Sequence, residues 1–230
     1  MTSSFADTHW SLIERAHGNG EDARAALSDL CGMYYLPVHR FILAWCRDPE
    51  RAKDLAQDFF ARVLADGSLG SPEAGKGRFR SYLLGAVKHF LCNANERAAA
   101  TKRGGDILHD ALVTTIADPS MLPPDVQFDR QWALSVLNAT LEKVRSAMLS
   151  EGKEGVFEVL KPWLSGQADH GDTAEAAASL GVPETAVRVW LHRLRLRFRE
   201  TLRAHLSQTL SPGMDVDAEI QHLLQALRGD

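Results

Sequence analysis

The sequence predicts an all-α protein, with two small helical domains joined by a linker and a helix-turn-helix in the second. Three observations predict this class. Apolar residues recur at spacings of three and four in every long segment, no run alternates as a strand does, and glycines and prolines interrupt the periodic stretches where helices need ends. At 230 residues and 45% apolar content, the chain can bury a core divided between two domains.

The elements follow in order. Thr8 or Asp7 suits the cap of a short helix carrying Trp10, Ile13 and Ala16, which Gly18 and Gly20 end. A longer helix is expected from about Asp22, with Ala23, Leu27, Leu30, Tyr34, Val38, Phe41 and Trp45 facing inward and a kink or break at Pro37. Asp48-Pro49 makes a turn whose proline suits the first position of the next helix, Glu50 to about Ala65. There Leu55, Phe59 and Val63, with Phe60 beside them, form the apolar face. The segment DGSLGSPEAGKG reads as a flexible loop, followed by a helix with Phe79, Leu83, Val87, Phe90, Leu91 and Ala94 on one stripe. The first domain is therefore expected over residues 1–105.

Residues 106–129 carry five aspartates and no lysine or arginine, with Asp118-Pro119 and Pro123-Pro124 opposing regular helix, and read as an acidic linker of partly extended chain. Helical spacing returns with Trp132, Leu134, Leu137, Leu141, Val144 and Met148, which opens a second domain over 130–210. Within it a short alanine-rich helix, Thr173 to Leu180, precedes Gly181-Val182-Pro183 and a basic amphipathic helix anchored by Val187, Leu191, Leu194, Phe198 and Leu202. The remaining 211–230 break at Pro212-Gly213 and form an acidic amphipathic tail too short to be stable alone. Its docking place is either the second domain or a partner, and an acidic helix covering the basic recognition face would be autoinhibitory.

The formal net charge is −4, yet the charges are segregated, and local fields steer a polyanion more than totals do. One basic island holds Lys76, Arg78, Arg80, Lys88, Arg97, Lys102 and Arg103 against Glu96 alone. A second holds Arg188, Arg193, Arg195, Arg197, Arg199 and Arg203 against Glu200. Either island taken singly is better explained by a solvated helix face; two islands on helices shift the balance toward DNA. On the second, Thr185, Arg188, His192, Arg195 and Arg199 share the face opposite the apolar anchors, with Arg188 placed to read a base edge and its neighbours to meet phosphates. On the first, Arg80, Lys88, His89, Asn93 and Arg97 fall away from the apolar stripe, and Lys76 and Arg78 sit at its leading loop. A plain helical hairpin is the bland alternative for 173–202.

Three segments carry a family resemblance. ETAVRVWLHRLRLRFRETL is similar to the promoter-recognition helix of bacterial sigma factors, commonly TVKSRLHRARxxL, with Arg188 in the place of the lysine and Val187, Leu191, His192 and Arg193 matching. DLAQDFFARVL resembles the helix by which that family binds core polymerase, DLxQExFxRxW, and GRFRSYLLGAVKHFLCNANER resembles the FRxWLxxIARNxxxDxxR that follows it. The matches cover Asp54 to Arg97 and Thr173 to Leu202 in the order of the extracytoplasmic-function group. Trp190 departs from the family's second arginine, and Lys88-His89 from its arginine-asparagine.

The resemblance implies a sigma factor that brings core RNA polymerase to a promoter and aids its melting. Lys76, Arg78, Arg80, Lys88, His89, Asn93 and Arg97 would then meet the minus-ten element, and Thr185, Arg188, His192, Arg193 and Arg195 the minus-thirty-five element. Asp54, Gln57, Asp58 and Arg62 would face the clamp helices of the polymerase largest subunit. Promoter DNA, core polymerase and an anti-sigma factor or other regulator are the partners it implies, and the cytoplasm, at the nucleoid when active, the place. The competing readings are a helix-turn-helix repressor or activator working without polymerase and, more distantly, a helical enzyme.

Other signals fall away. Gly75-Lys76-Gly77 lacks the spacing of a phosphate-binding P-loop, and the nine histidines and three cysteines show no metal-ligand spacing, so neither cofactor nor metal is expected. No nucleophile or acid pair asks for a catalytic role, and the expectation is a binding protein, not an enzyme. The start, MTSSFADTHW, lacks the basic and apolar runs of a signal peptide, and no apolar stretch approaches the roughly 18 residues of a membrane span, so a soluble chain without membrane insertion is expected.

Overall fold

The computed structural model describes residues 21–66, 77–103, 122–164 and 173–228, and the expected helix around Trp10, the loop holding Lys76 and most of the acidic linker lie outside them. The described chain is all-α. Its helices are α1 (Glu21–Cys46), α2 (Pro49–Asp66), α3 (Phe79–Arg103), α4 (Pro124–Ser150), α5 (Glu154–Leu160), α6 (Thr173–Leu180), α7 (Glu184–Gln208) and α8 (Val216–Arg228), with a short 3₁₀ turn at Lys161–Trp163. None of these helices is long and apolar enough to cross a membrane.

The chain divides into two compact units, residues 1–135 together with 207–230, and residues 136–206. The expected boundaries move. Residues 124–129, read as the end of a linker of partly extended chain, are the first turns of α4, residues 130–135 and 207–210, expected in the second domain, lie in the first unit, and so do residues 211–230, read as a separate tail. The reason for the first difference is local: Pro124 lacks only an amide that a first helical turn leaves unbonded, and Phe128, fully buried, fixes the turn to the core. The chain passes between the units inside α4, after Ser135, and again near the end of α7.

In the first unit α1 runs through Pro37 as one helix, so of the kink or break expected at that proline the break does not occur. Val38 and Ile42 are fully buried and Tyr34 and Phe41 nearly so, so packing on this face offsets the lost hydrogen bond. Arg47, in the left-handed region at φ 56°, ends α1, its N–H donating to the Leu43 carbonyl at 2.8 Å. Asp48 then caps α2, its Oδ1 accepting from the Glu50 and Arg51 amides at 3.0 and 3.1 Å. Ala52, Ala56, Phe59, Phe60 and Val63 bury the inner face of α2, and Phe59 meets Phe90 of α3 edge-on, ring centres 5.5 Å apart.

The second unit closes on Val144, Met148, Phe157, Leu160, Ala176, Ala177, Val187 and Leu194. Trp190 and Phe198 pack against this cluster from α7. The α6–α7 turn is a Schellman motif: the Val182 amide donates to the Ala177 carbonyl at 3.1 Å and the Gly181 amide to Ala178 at 3.3 Å, with Gly181 at φ 64°. Open space surrounds the position a Cβ would take at Gly181, so the cost of a side chain there is conformational alone. Gly181→Ala is expected to lower stability by about 1 kcal/mol without changing the fold, measured as a shift in urea midpoint at constant slope.

Candidate nucleic-acid interface

On α7 the anchors Val187, Leu191, Leu194 and Leu202 are buried, and their spacing turns the opposite face to solvent. Thr185, Arg188, His192, Arg195 and Arg199 are all exposed there, three or four residues apart, with Arg193 exposed beside them. Arg188 makes an i,i+4 pair with Glu184 at 3.2 Å, but its side chain stays 67% exposed, and a surface pair of this kind is worth little and is readily exchanged. No described residue forms an ion pair with Arg193, Arg195 or Arg199. Arg197 belongs elsewhere: it binds Glu151 in the turn after α4, and with Lys153 it holds that carboxyl down to about 2. The outward face of α7 is thus a stripe of fixed cations on a helix whose other side is locked in the core.

Trp190, at the position where the recognition-helix pattern has an arginine, is half-buried against the unit's core and serves packing. Val189 and Leu196 are exposed among the cations, so the face is not wholly polar.

On α3 the expected set separates. Lys88 and His89 are exposed, as is Arg97, and Asn93 is half-buried with its Nδ2 3.2 Å from Nδ1 of His89. Lys88 reaches Asp125 of α4 at 2.8 Å, both ends about half exposed. Arg80, expected on the outer face, is 6% exposed. Its Nε donates to Oε1 of Glu219 at 2.8 Å, its Nη1 to Oδ1 of Asp129 at 3.0 Å, and its guanidinium lies 4.8 Å from the centre of the Trp132 ring. Arg78 also faces Glu219, with Nε 2.6 Å from Oε2, a close ion contact without hydrogen-bond alignment. Glu219 itself is fully buried.

The correction has a simple geometric cause. Arg80 stands three residues before Leu83 and seven before Val87, which places it in the register of the buried stripe and not opposite it. Glu219 stands likewise four before Leu223 and seven before Ala226, both buried. An arginine and a glutamate each occupying an apolar register is the signal that pairs them, and Asp129, Trp132 and Glu219 are the members of this cluster that charge counting overlooks. Burial also pushes the Tyr34 hydroxyl pKa far up, with the Trp132 indole, Arg80 and Glu219 all near it.

The tail is bound to the head of α3 by backbone as well. The Phe79 amide donates to the Thr209 carbonyl at 3.0 Å, the Ser211 amide and hydroxyl to the Gly77 carbonyl at 3.3 and 2.9 Å, and Arg78 and Leu210 form an antiparallel bridge. Its docking place in this structure is therefore the first unit and not the second domain.

On α2, Asp54 and Gln57 are exposed. Asp58 and Arg62, half-buried, pair with each other through two hydrogen bonds of 3.0 and 2.7 Å, and Arg62 lies over the Phe90 ring at 5.2 Å. The pair is i,i+4 and orients a polar edge next to the apolar face. Among the described residues no group of His, Cys, Asp and Glu is arranged to hold a metal ion. Comparison with family models, with curated proteins and with solved structures finds no match for this chain.

Proposed function

We propose that the chain is a sigma-type transcription initiation factor, which brings core RNA polymerase to a two-part promoter. The observation that carries the reading is the exposed cationic stripe of α7, Arg188 to Arg199, set on a helix that follows a tight glycine turn. A helix placed in a major groove needs this arrangement: core anchors on one side, and on the other an N-terminal residue for base edges with cations behind it for phosphates. Arg188 takes the base-reading role and Arg193, Arg195 and Arg199 the phosphate role, with Thr185 and His192 between them. The three ordered sequence resemblances assign the remaining surfaces. Lys88, His89, Asn93 and Arg97 on α3 serve the minus-ten element, and Asp54, Gln57, Asp58 and Arg62 on α2 serve the polymerase.

Two weak DNA contacts on one chain reinforce each other through effective concentration, and polymerase adds a third, so no single surface has to bind tightly. Melting costs a few kcal/mol per extruded base, which the summed contacts offset without nucleotide hydrolysis.

In vitro transcription with added core polymerase on a genomic fragment library tests the reading. Specific transcripts that appear only when the chain is present support it. Tight binding to duplex operator without polymerase, as a dimer, would point instead to a repressor or activator. On a promoter so found, Arg188→Ala is expected to lose about 1 to 3 kcal/mol of discrimination at one base pair, while Arg199→Ala weakens binding evenly across sequences. Competition binding against single-base variants of the upstream element separates the two.

A further inference from the structure

Arg80 is drawn in from the outer surface of α3, Arg78 just ahead of the helix stays partly exposed, and one carboxylate meets both. Glu219 receives the Arg80 Nε through one oxygen and faces the Arg78 Nε with the other, as two oxygens of a phosphodiester would. Asp129 takes the second arm of Arg80, so the two arginines meet two carboxylates.

The element that brings Glu219 rests on few fully buried side chains, with His222 against Asp129 at 3.4 Å and beside the Trp132 ring, centres 6.3 Å apart. Along its 13 residues α8 buries only Glu219, Leu223 and Ala226, and a helix of that length is marginal alone. A buried ion pair contributes little net stability, because desolvation takes back most of the attraction. The exposed pair Pro212-Gly213, with Gly213 at φ 85°, separates α8 from the Thr209–Ser211 segment that is bonded to Gly77 and Phe79.

We propose that α8 is a latch on a phosphodiester site: Glu219 occupies the Arg78–Arg80 pair in the idle chain, and single-stranded nucleic acid takes its place. The proposal rests on the nucleic-acid reading above and adds to it a switch, since unlatching frees two cations at the head of α3 from their carboxylate. Leaving of α8 also withdraws His222 from the Trp132 ring, 6.3 Å between centres, an aromatic group on which a base can stack.

The test uses the full chain and a labelled single-stranded oligodeoxythymidylate, comparing the wild type with Glu219→Gln, which keeps the side-chain volume and removes the charge. The variant is expected to bind about tenfold tighter at low salt, with the slope of log K against log salt steeper by about 1.4, the value for two more phosphate contacts on a single strand. Adding Arg78→Ala to the variant should cancel part of both changes. A second arm needs no substitution. Hydrogen exchange of the wild-type chain should show loss of protection in residues 216–228 on addition of saturating oligonucleotide, with α3 unchanged. If the wild type binds and Glu219→Gln shows neither change, or if α8 stays protected with the oligonucleotide bound, the latch is wrong and the reading of the exposed surfaces survives. If neither form binds at low salt, both fall.

Discussion

Arg80→Ala is expected to destabilise the chain by about 3 to 5 kcal/mol, the usual consequence of removing one partner from a buried ion pair. The physical reason is what remains. Glu219 keeps a fully buried carboxylate whose single aligned hydrogen bond came from Arg80, leaving only the unaligned contact with Arg78. Asp129 loses its guanidinium and Trp132 its cation cover at the same time. Because the loss is mainly that of an uncompensated charge, removing both charges should repair part of it. Arg80→Met with Glu219→Leu is expected to return part of the stability, since apolar pairs commonly match the ion pair they replace, while Asp129 and Arg78, left without Arg80 and Glu219, hold back the rest. Urea denaturation of the single and double variants measures the coupling. A single-variant loss below about 1 kcal/mol would contradict the cluster described above.

The second large effect is on acid stability. His205 of α7 is 3% exposed, and burial, with Lys143 nearby, lowers its pKa from 6.5 to about 4. Between those two values the unfolded chain binds a proton that the folded chain refuses, so unfolding is favoured as pH falls. The contribution is complete above about pH 6.5 and is lost progressively down to about pH 4, reaching about 3 kcal/mol at the lower end. The opposite slope would require a raised pKa. His205→Gln is expected to flatten the stability profile in this window, compared by denaturant midpoints at stepped pH. A variant that keeps the full wild-type slope would assign the acid sensitivity to another group.

How much of this was legible in the sequence depends on where each residue's partner lies. The helices were legible because their signals are local: Asp48 capping α2, Pro49 opening it, and Gly181 ending α6 each act within a turn of the residue itself. The outward face of α7 was legible for the same reason, since Val187, Leu191 and Leu194 leave Arg188, His192 and Arg195 no side but solvent. Pro124 misled because proline closes one helix and opens another, and only the burial of Phe128 decides between the two. Arg80 misled because charge was weighed above register. Its partner Glu219 is 139 residues away, and no local pattern announces so distant a contact. The tail's place in the first unit was hidden likewise, because its amphipathic stripe asks for a surface without naming one.

The central claim is that these surfaces serve core RNA polymerase and DNA together. Sedimentation of the purified chain with bacterial core polymerase at modest ionic strength, wild type beside Asp54→Arg with Gln57→Ala, addresses it directly. The account predicts a stoichiometric complex that the double variant weakens and that acquires promoter-specific DNA binding absent from either component. A wild-type chain that sediments alone, or binds its DNA equally well without polymerase, would contradict it.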